Sequence, residues 1–259
     1  MSIVRENTVK RALKAGRKTS GAWLHLCNAM SAEVMADAGF DWLLIDMEHG
    51  HGDLQTLVHQ LMGLRASATI PIVRVPWNDL VIIKRILDCG AYGIMVPWVN
   101  NREQCQAAVA ACKYPPDGVR GMAGSIRAAG YGRWAGDYKK VANDEILVII
   151  QIETRDAVNN VDAILSVPGV DVAFIGPVDL STSYGYQGDF SQPEVQQAIA
   201  KVEAAAKRHQ VATGIISATW EQAKSLYDRG FQMVTLCSDV TLVWRGAVEL
   251  AGKFRQAFP

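Results

Sequence analysis

Along the chain, short continuous apolar runs alternate with stretches in which apolar residues recur every three or four positions. The runs fall at 19–26 (TSGAWLHL), 40–48 (FDWLLIDME), 70–76 (IPIVRVP), 91–99 (AYGIMVPWV), 145–153 (EILVIIQIE), 169–176 (GVDVAFIG), 211–217 (VATGIIS) and 231–238 (FQMVTLCS). Runs of this length suit strands covered on both faces. Helical spacing is found at 5–16, 31–39, 53–66, 78–90, 101–113, 155–167, 193–209, 219–230 and 239–258. Ser31 is the expected cap of the second of these segments and Gly39 its stop, Asn101 caps the 101–113 helix, and Pro193 opens the 193–209 helix.

Strict alternation of strand and helix predicts a parallel sheet. Eight such units within 259 residues predict an α/β protein of the (β/α)8 TIM-barrel class, a closed sheet of eight parallel strands in one domain spanning 1–259. The 5–16 helix is expected to pack on the barrel, and the last helix, 240–258, either to do the same or to pass to another subunit. An open doubly wound sheet is the alternative, but no GxGxxG follows the first strand. Two long segments lack regular spacing: 114–138, rich in Gly and Arg, and 177–192. Loops this long are often functional.

Charge changes the picture by exclusion. Lys plus Arg and Asp plus Glu both number 26, so there is no basic field for nucleic acid or an anionic membrane surface. No uncharged apolar run is long enough to span a bilayer, and the charged N-terminus has no signal-peptide core. Five scattered cysteines without a CxxC pair read as reduced, packed thiols of a cytoplasmic protein.

A barrel places its chemistry at the C-terminal ends of its strands. The polar residues there are Asp46, Glu48 and His49 after the second run, Arg74 in the third, Gln151 and Glu153 in the fifth, and Asp179 just after the sixth. Each has a plain structural reading. Glu153 precedes a helix, whose dipole favours an acid; Asp179 could cap one; Arg74 could pair with Asp46 or Glu48. Yet two carboxylates on neighbouring strand ends would repel, and a shared cation removes that cost. Oxygen-only ligation suits Mg²⁺ or Mn²⁺. His49, next to glycines at a strand end, is a candidate general base, with His51 its competitor. His25, His59 and His209 read as structural. Asp88 sits near a helix C-terminus, where the dipole disfavours an acid, and so needs a partner. No lysine lies at these strand ends, which disfavours a Schiff-base mechanism.

The segments GAWLHL, AGFDWLLIDMEHG, PIVRVPWND, KRILDCGAYGIMVPWV, YPPDGVRG, QIETRDAVNNVDAIL and VDVAFIGPVDLS together resemble the HpcH/HpaI aldolases, metal-dependent class II enzymes that use pyruvate. The resemblance covers roughly residues 5–250. It implies that Glu153 and Asp179 bind a divalent cation (Mg²⁺ or Mn²⁺, with Co²⁺ a further candidate). It implies that His49 is the acid–base group paired with Asp88, that Arg74 steadies the enolate, and that Gln151 lies beside the metal. It further implies that the amides of Val178 and Asp179 hold the substrate carboxylate. Trp23 and Ile216 are expected to wall the pocket. The partners implied are a 2-oxo acid and an aldehyde, and the implied assembly is a homohexamer. MEHGHGD, SIRAAGYGRW and SDVTLVWRG depart from the commoner pattern; these loops are expected to line the distal pocket and set the aldehyde. Rival readings are a lyase acting on a CoA ester, with Arg120, Arg127 and Arg133 as its basic groove, a decarboxylating relative, and a phosphate-site barrel isomerase.

Overall fold

The structure is a computed structural model, and it describes residues 5–259. Eight strands form the barrel: β1 (Thr19–Leu24), β2 (Trp42–Asp46), β3 (Ile70–Arg74), β4 (Gly93–Val96), β5 (Leu147–Ile152), β6 (Val172–Ile175), β7 (Ala212–Ile216) and β8 (Met233–Ser238). Each pairs in parallel with the next, and β8 closes on β1. The strands are shorter than the apolar runs that announced them, because the run ends continue into the loops above and below the sheet.

Period two along each strand decides what the barrel contains. Trp42 and Leu44 of β2, Ile70 and Ile72 of β3, Leu147 and Ile149 of β5, and Val172 and Phe174 of β6 point inward and form one buried cluster. The next inward position on each strand is therefore Asp46, Arg74, Gln151 and Gly176, with Glu153 one step beyond Gln151. The alternate residues, such as Leu43, Ile45, Val73, Val148 and Ile150, face outward into a larger cluster shared with the helices. The polar top of the barrel is thus the last layer of the same alternation that builds its apolar centre.

The bottom is closed by the helix Thr8–Lys14, which buries Val9 and Leu13 in the inner cluster. Asn7 caps it and also bonds the carbonyls of Tyr92 (2.9 Å) and Glu145 (2.8 Å). Buried Lys10 reaches Asp171 Oδ2 at 2.8 Å.

Local details differ from expectation. The second helix runs Ala29–Asp37 and is capped by Asn28, not Ser31; the Asn28 side chain reaches the Met30 and Ser31 amides, and the Ser31 hydroxyl bonds Asp239 instead. Segment 155–167 breaks at Asn160 into Arg155–Asn159 and Val161–Leu165. A helix, Ala135–Glu145, begins within the end of the supposed 114–138 loop, and the supposed 177–192 loop contains the helix Pro177–Ser183. Asn101 caps the helix Arg102–Cys112 as expected. Cys105 and Cys112 are buried on it, and burial pushes both thiols up to about 12.

The last helix, Asp239–Ala257, buries only Asp239. Leu242, Val243, Trp244, Leu250 and Phe254 are all exposed. Packing on its own barrel does not account for its apolar face.

Gly21 of β1 lies against Trp42 at the centre of the barrel, where an added Cβ would come 2.1 Å from the Trp42 ring. Gly21→Ala should cost about 1–3 kcal/mol through overpacking, read as a lowered urea midpoint with an unchanged denaturant slope.

Candidate active site

Asp46 and Arg74 are partners in the β2–β3 register, so their inward side chains meet directly. Arg74 Nε donates to Asp46 Oδ1 (2.9 Å) and Nη2 to Oδ2 (2.6 Å), and both residues are buried. The third nitrogen, Nη1, lies 2.8 Å from Glu48 Oε2, off the hydrogen-bonding axis. The guanidinium rests on the Trp23 ring, 4.4 Å from its centroid. Trp23 is held in turn by its Nε1–H, which donates to Thr235 Oγ1 (2.8 Å). Both acids weighed as structural partners of Arg74 are present at once. Only two of the five guanidinium N–H groups of Arg74 are hydrogen-bonded, both to Asp46.

Asp46 does more than pair with Arg74. Its Oδ1 also accepts from the amides of Glu48 (3.0 Å) and His49 (3.4 Å), which fixes the turn that carries His49. His25 Nε2 lies 3.2 Å from Asp46 Oδ2. Burial opposes ionisation of Asp46, but the hydrogen bonds from His25 and Arg74 and the Arg74 charge outweigh it. They hold the carboxyl well below the usual range.

Glu153 is clamped from two sides. The Trp98 amide donates to Oε1 (2.8 Å) and Gln151 Nε2 to Oε2 (2.8 Å). Trp98 adopts a left-handed φ of 56°, unusual for a side chain of its size. Gly176 completes the clamp, since a Cβ there would lie 2.5 Å from Glu153 Oε2. Burial first, then the nearby charges of Glu48 and Asp179, push Glu153 up to about 7 against the pull of the Trp98 amide and Arg74. Burial likewise raises Glu48, with Asp46 and Asp179 adding to it and Arg74 and His49 opposing. Asp179, in the first turn of Pro177–Ser183, is half-buried, and its carboxylate accepts no hydrogen bond among the described residues. The amides of Val178 and Asp179 precede the first intrahelical bond, from Leu180 N–H to Gly176 O.

A cavity of about 490 Å³ opens at the C-terminal mouth, and Asp46, Glu48 and Glu153 lie behind its lining. Trp23, His49, Arg74, Gln151, Val178, Asp179 and Ile216 all line it. Among the described residues no three His, Cys, Asp or Glu side chains converge as a closed metal cage. The donor set fits an open oxygen site instead. Glu153 and Asp179 are two carboxylates on neighbouring elements with too few cations around them, and the buried Gln151 Oε1 has no partner. A hard divalent ion with the rest of its shell supplied by water or substrate matches that chemistry.

Asp88 stands elsewhere. Its Oδ1 accepts from Arg120 Nη2 (2.8 Å), and it forms no hydrogen bond to His49 within the chain. That ion pair is the partner its helix-end position called for. Arg120 is buried and stacks on Tyr114, 4.4 Å from the ring centroid. Arg127 donates to Cys89 O (2.6 Å) and Arg133 to Gly130 O (2.9 Å). No residue of 114–138 lines the cavity. The expectation that SIRAAGYGRW lines the distal pocket therefore fails within one chain, and so does the basis for a CoA groove there. The outer wall is built instead by Ser238, Thr241, Leu242 and Arg245, so the SDVTLVWRG expectation holds. His51 does not reach the cavity.

Sequence reading undervalued three groups. Asp46 was weighed only as an ion-pair partner. His25 lines the cavity although it read as structural. Asp239 is buried and accepts from the His25 amide (2.8 Å), the Leu26 amide (3.2 Å) and Ser31 Oγ (2.8 Å), tying the β1 loop to the end of β8. The usable signal was the inward phase of β1 and β2, which carries on through His25 and Asp46.

Fold and site together define a TIM-barrel enzyme with an acid-rich mouth and one locked arginine. Residues 19–245 match the family described as HpcH/HpaI aldolase/citrate lyase. The chain belongs to that family. It is 44% identical over 253 residues to a 4-hydroxy-2-oxo-heptane-1,7-dioate aldolase of Salmonella paratyphi A, covering 96% of this chain and 95% of that one. It is likewise 44% identical over 249 residues to the protein of that name from Escherichia coli, with the same coverage. The crystal structure of a family member from Burkholderia cenocepacia J2315 superposes with a TM-score of 0.93 at 37% identity, covering 96% of this chain and 99% of that one. Kinship of this extent makes the protein a carbon–carbon lyase of the class II aldolase type, a class that implies a divalent metal. No helix among the described residues is long and apolar enough to cross a membrane.

Folding raises the Glu153 pKa from 4.5 to about 7, so the folded state holds that proton more tightly than the unfolded chain. Its contribution to stability is therefore full below about pH 4.5 and lost as pH rises through about 7. In metal-free protein this should remove about 3 kcal/mol between pH 5 and 8. Urea melts at the two pH values should show that loss, and Glu153→Gln should abolish it.

Proposed function

We propose that the enzyme reversibly cleaves a 4-hydroxy-2-oxo acid to pyruvate and an aldehyde through an enolate. Glu153 and Asp179 would hold the divalent cation, Mg²⁺ or Mn²⁺. The observation that carries this reading is Asp179 on the cavity wall, whose charge, with that of Glu48, bears on buried Glu153 behind the lining, while the one cation on the floor, Arg74, is already shared between two acids. When bound, the cation would act as a Lewis acid that draws off charge developing on the substrate's 2-oxo group.

The chain's own groups account for the remaining steps. The Val178 and Asp179 amides would take the substrate carboxylate. N–H groups of Arg74 not bonded to Asp46 would donate to the oxygen that becomes negative as the C3–C4 bond breaks, from a position that cannot drift because Asp46 and Trp23 hold it. His49 would take the proton of the 4-hydroxyl. In this reading the electrons of the broken bond settle in the enolate, and protonation at C3 yields pyruvate. Trp23 and Ile216 would form apolar walls that exclude water from the enolate. The pairing of His49 with Asp88 that the family resemblance implies has no support within one chain.

The exposed apolar face of Asp239–Ala257 supports exchange of this helix between subunits in a homo-oligomer, a hexamer by resemblance to the family. The five free cysteines suit a cytoplasmic setting.

Pyruvate in D₂O should exchange its methyl protons when Mg²⁺ or Mn²⁺ is present and stop doing so with EDTA; no exchange under either condition would overturn the enolate reading. His49→Ala should lower cleavage about 100-fold or more while cation affinity, measured calorimetrically, persists. Loss of both together would make His49 a ligand. By sedimentation, a species of 28.2 kDa would contradict the oligomer, and Trp244→Asp with Phe254→Asp should shift a larger assembly towards that mass.

A further inference from the structure

Glu153 is held by a backbone that is itself under strain. Its Oε1 takes the Trp98 amide, and Trp98 makes that bond from a left-handed φ of 56°, a sterically costly conformation for a residue with a Cβ. The Trp98 indole is exposed, so packing of its own side chain does not hold the backbone there. Asn100, two residues on, grips it instead. Its Nδ2 donates to the Trp98 carbonyl (3.1 Å). Its Oδ1 accepts from the hydroxyl of Thr154, the residue directly after Glu153. Thr154 Oγ1 in turn accepts from the Ala157 amide (3.0 Å), capping the helix Arg155–Asn159 and leaving its proton for Asn100. The Asn100 backbone is pinned as well: its N–H donates to Gln104 Oε1 (2.7 Å), and its carbonyl accepts from Asn160 Nδ2 (2.8 Å).

All four polar groups of Asn100 thus serve the junction between the loop after β4 and the loop after β5. That junction needs a carboxamide. The Trp98 carbonyl requires a donor and the Thr154 hydroxyl an acceptor, whereas an ionised Asp offers only acceptors and Ala offers neither. We infer that Asn100 is a positioning residue for the cation site, acting through Trp98 and Thr154 to fix the Glu153 carboxylate. Asn100 does not itself line the cavity. The inference rests on Glu153 as a cation ligand and adds what holds that ligand ready. Groups that orient a metal ligand in this way change metal affinity about 10–100-fold when removed.

The test is calorimetric titration of the full-length protein with Mn²⁺, beside urea melts of the same samples. Asn100→Ala should weaken Mn²⁺ binding about tenfold or more. Thr154→Val should weaken it too, and Thr154→Ser, which keeps the hydroxyl, should bind as the wild type does. Asn28→Ala removes a helix cap on the Ala29–Asp37 helix, outside this junction, and should lower the urea midpoint while leaving Mn²⁺ affinity unchanged. Wild-type affinity in Asn100→Ala would overturn the inference and leave Glu153 standing as a ligand. If that variant does not fold, equal affinity in Thr154→Val and Thr154→Ser would overturn it. An equal loss of affinity in Asn28→Ala would make the effect one of general stability and overturn it as well. No Mn²⁺ binding by the wild type, or undiminished binding by Glu153→Gln, would remove the ligand reading and this inference together.

Discussion

The mouth of the barrel depends on one buried ion pair. Arg74 and Asp46 stand side by side on adjacent strands, linked through two hydrogen bonds and shut away from water. Taking both charges out of solvent is expensive, and removing one partner of such a pair costs about 3–5 kcal/mol because the other is left uncompensated. The pair is therefore fixed, and it fixes its surroundings. Asp46 orients His25 and the turn that carries His49, and Arg74 draws Glu48 inward and lies flat on Trp23.

Around that pair the charge does not balance. The charges of Glu48 and Asp179 add to burial in raising the cost of ionising Glu153, and Glu153, clamped by the Trp98 amide and Gln151, cannot turn away. Nor can the backbone behind it carry a side chain, since any Cβ on Gly176 would strike the Glu153 carboxylate. Acids held rigidly and under-compensated in this way suit a cation from outside.

The arginines that looked most available in sequence prove to be the most occupied. Arg120 and Arg127 tie the long 114–138 segment to Asp88 and the Cys89 carbonyl at the end of one helix, and Arg133 is spent within the segment on the Gly130 carbonyl and the Trp134 ring. The start of the final helix takes the place expected for that segment. Its first two turns close the mouth and the remainder carries an apolar face away from the barrel.

The barrel itself was legible in the sequence, because eight buried strands alternating with amphipathic helices leave few other ways to cover every apolar face. So were His49, Arg74, Gln151, Glu153 and Asp179, which end apolar runs and thus had to stand at the strand tips. Pairing across strands was not legible. That Arg74 meets both Asp46 and Glu48 follows from register and inward phase, and sequence offers both acids as alternatives without choosing. The capping of the second helix by Asn28, the service of Ser31 to Asp239 and the diversion of Asp88 to Arg120 are all contacts between residues distant in sequence or competing within one turn. Local pattern determines which residues are inward and near the mouth, since strand period is a property of consecutive residues. Which charges touch was decided only when the sheet closed and set the register.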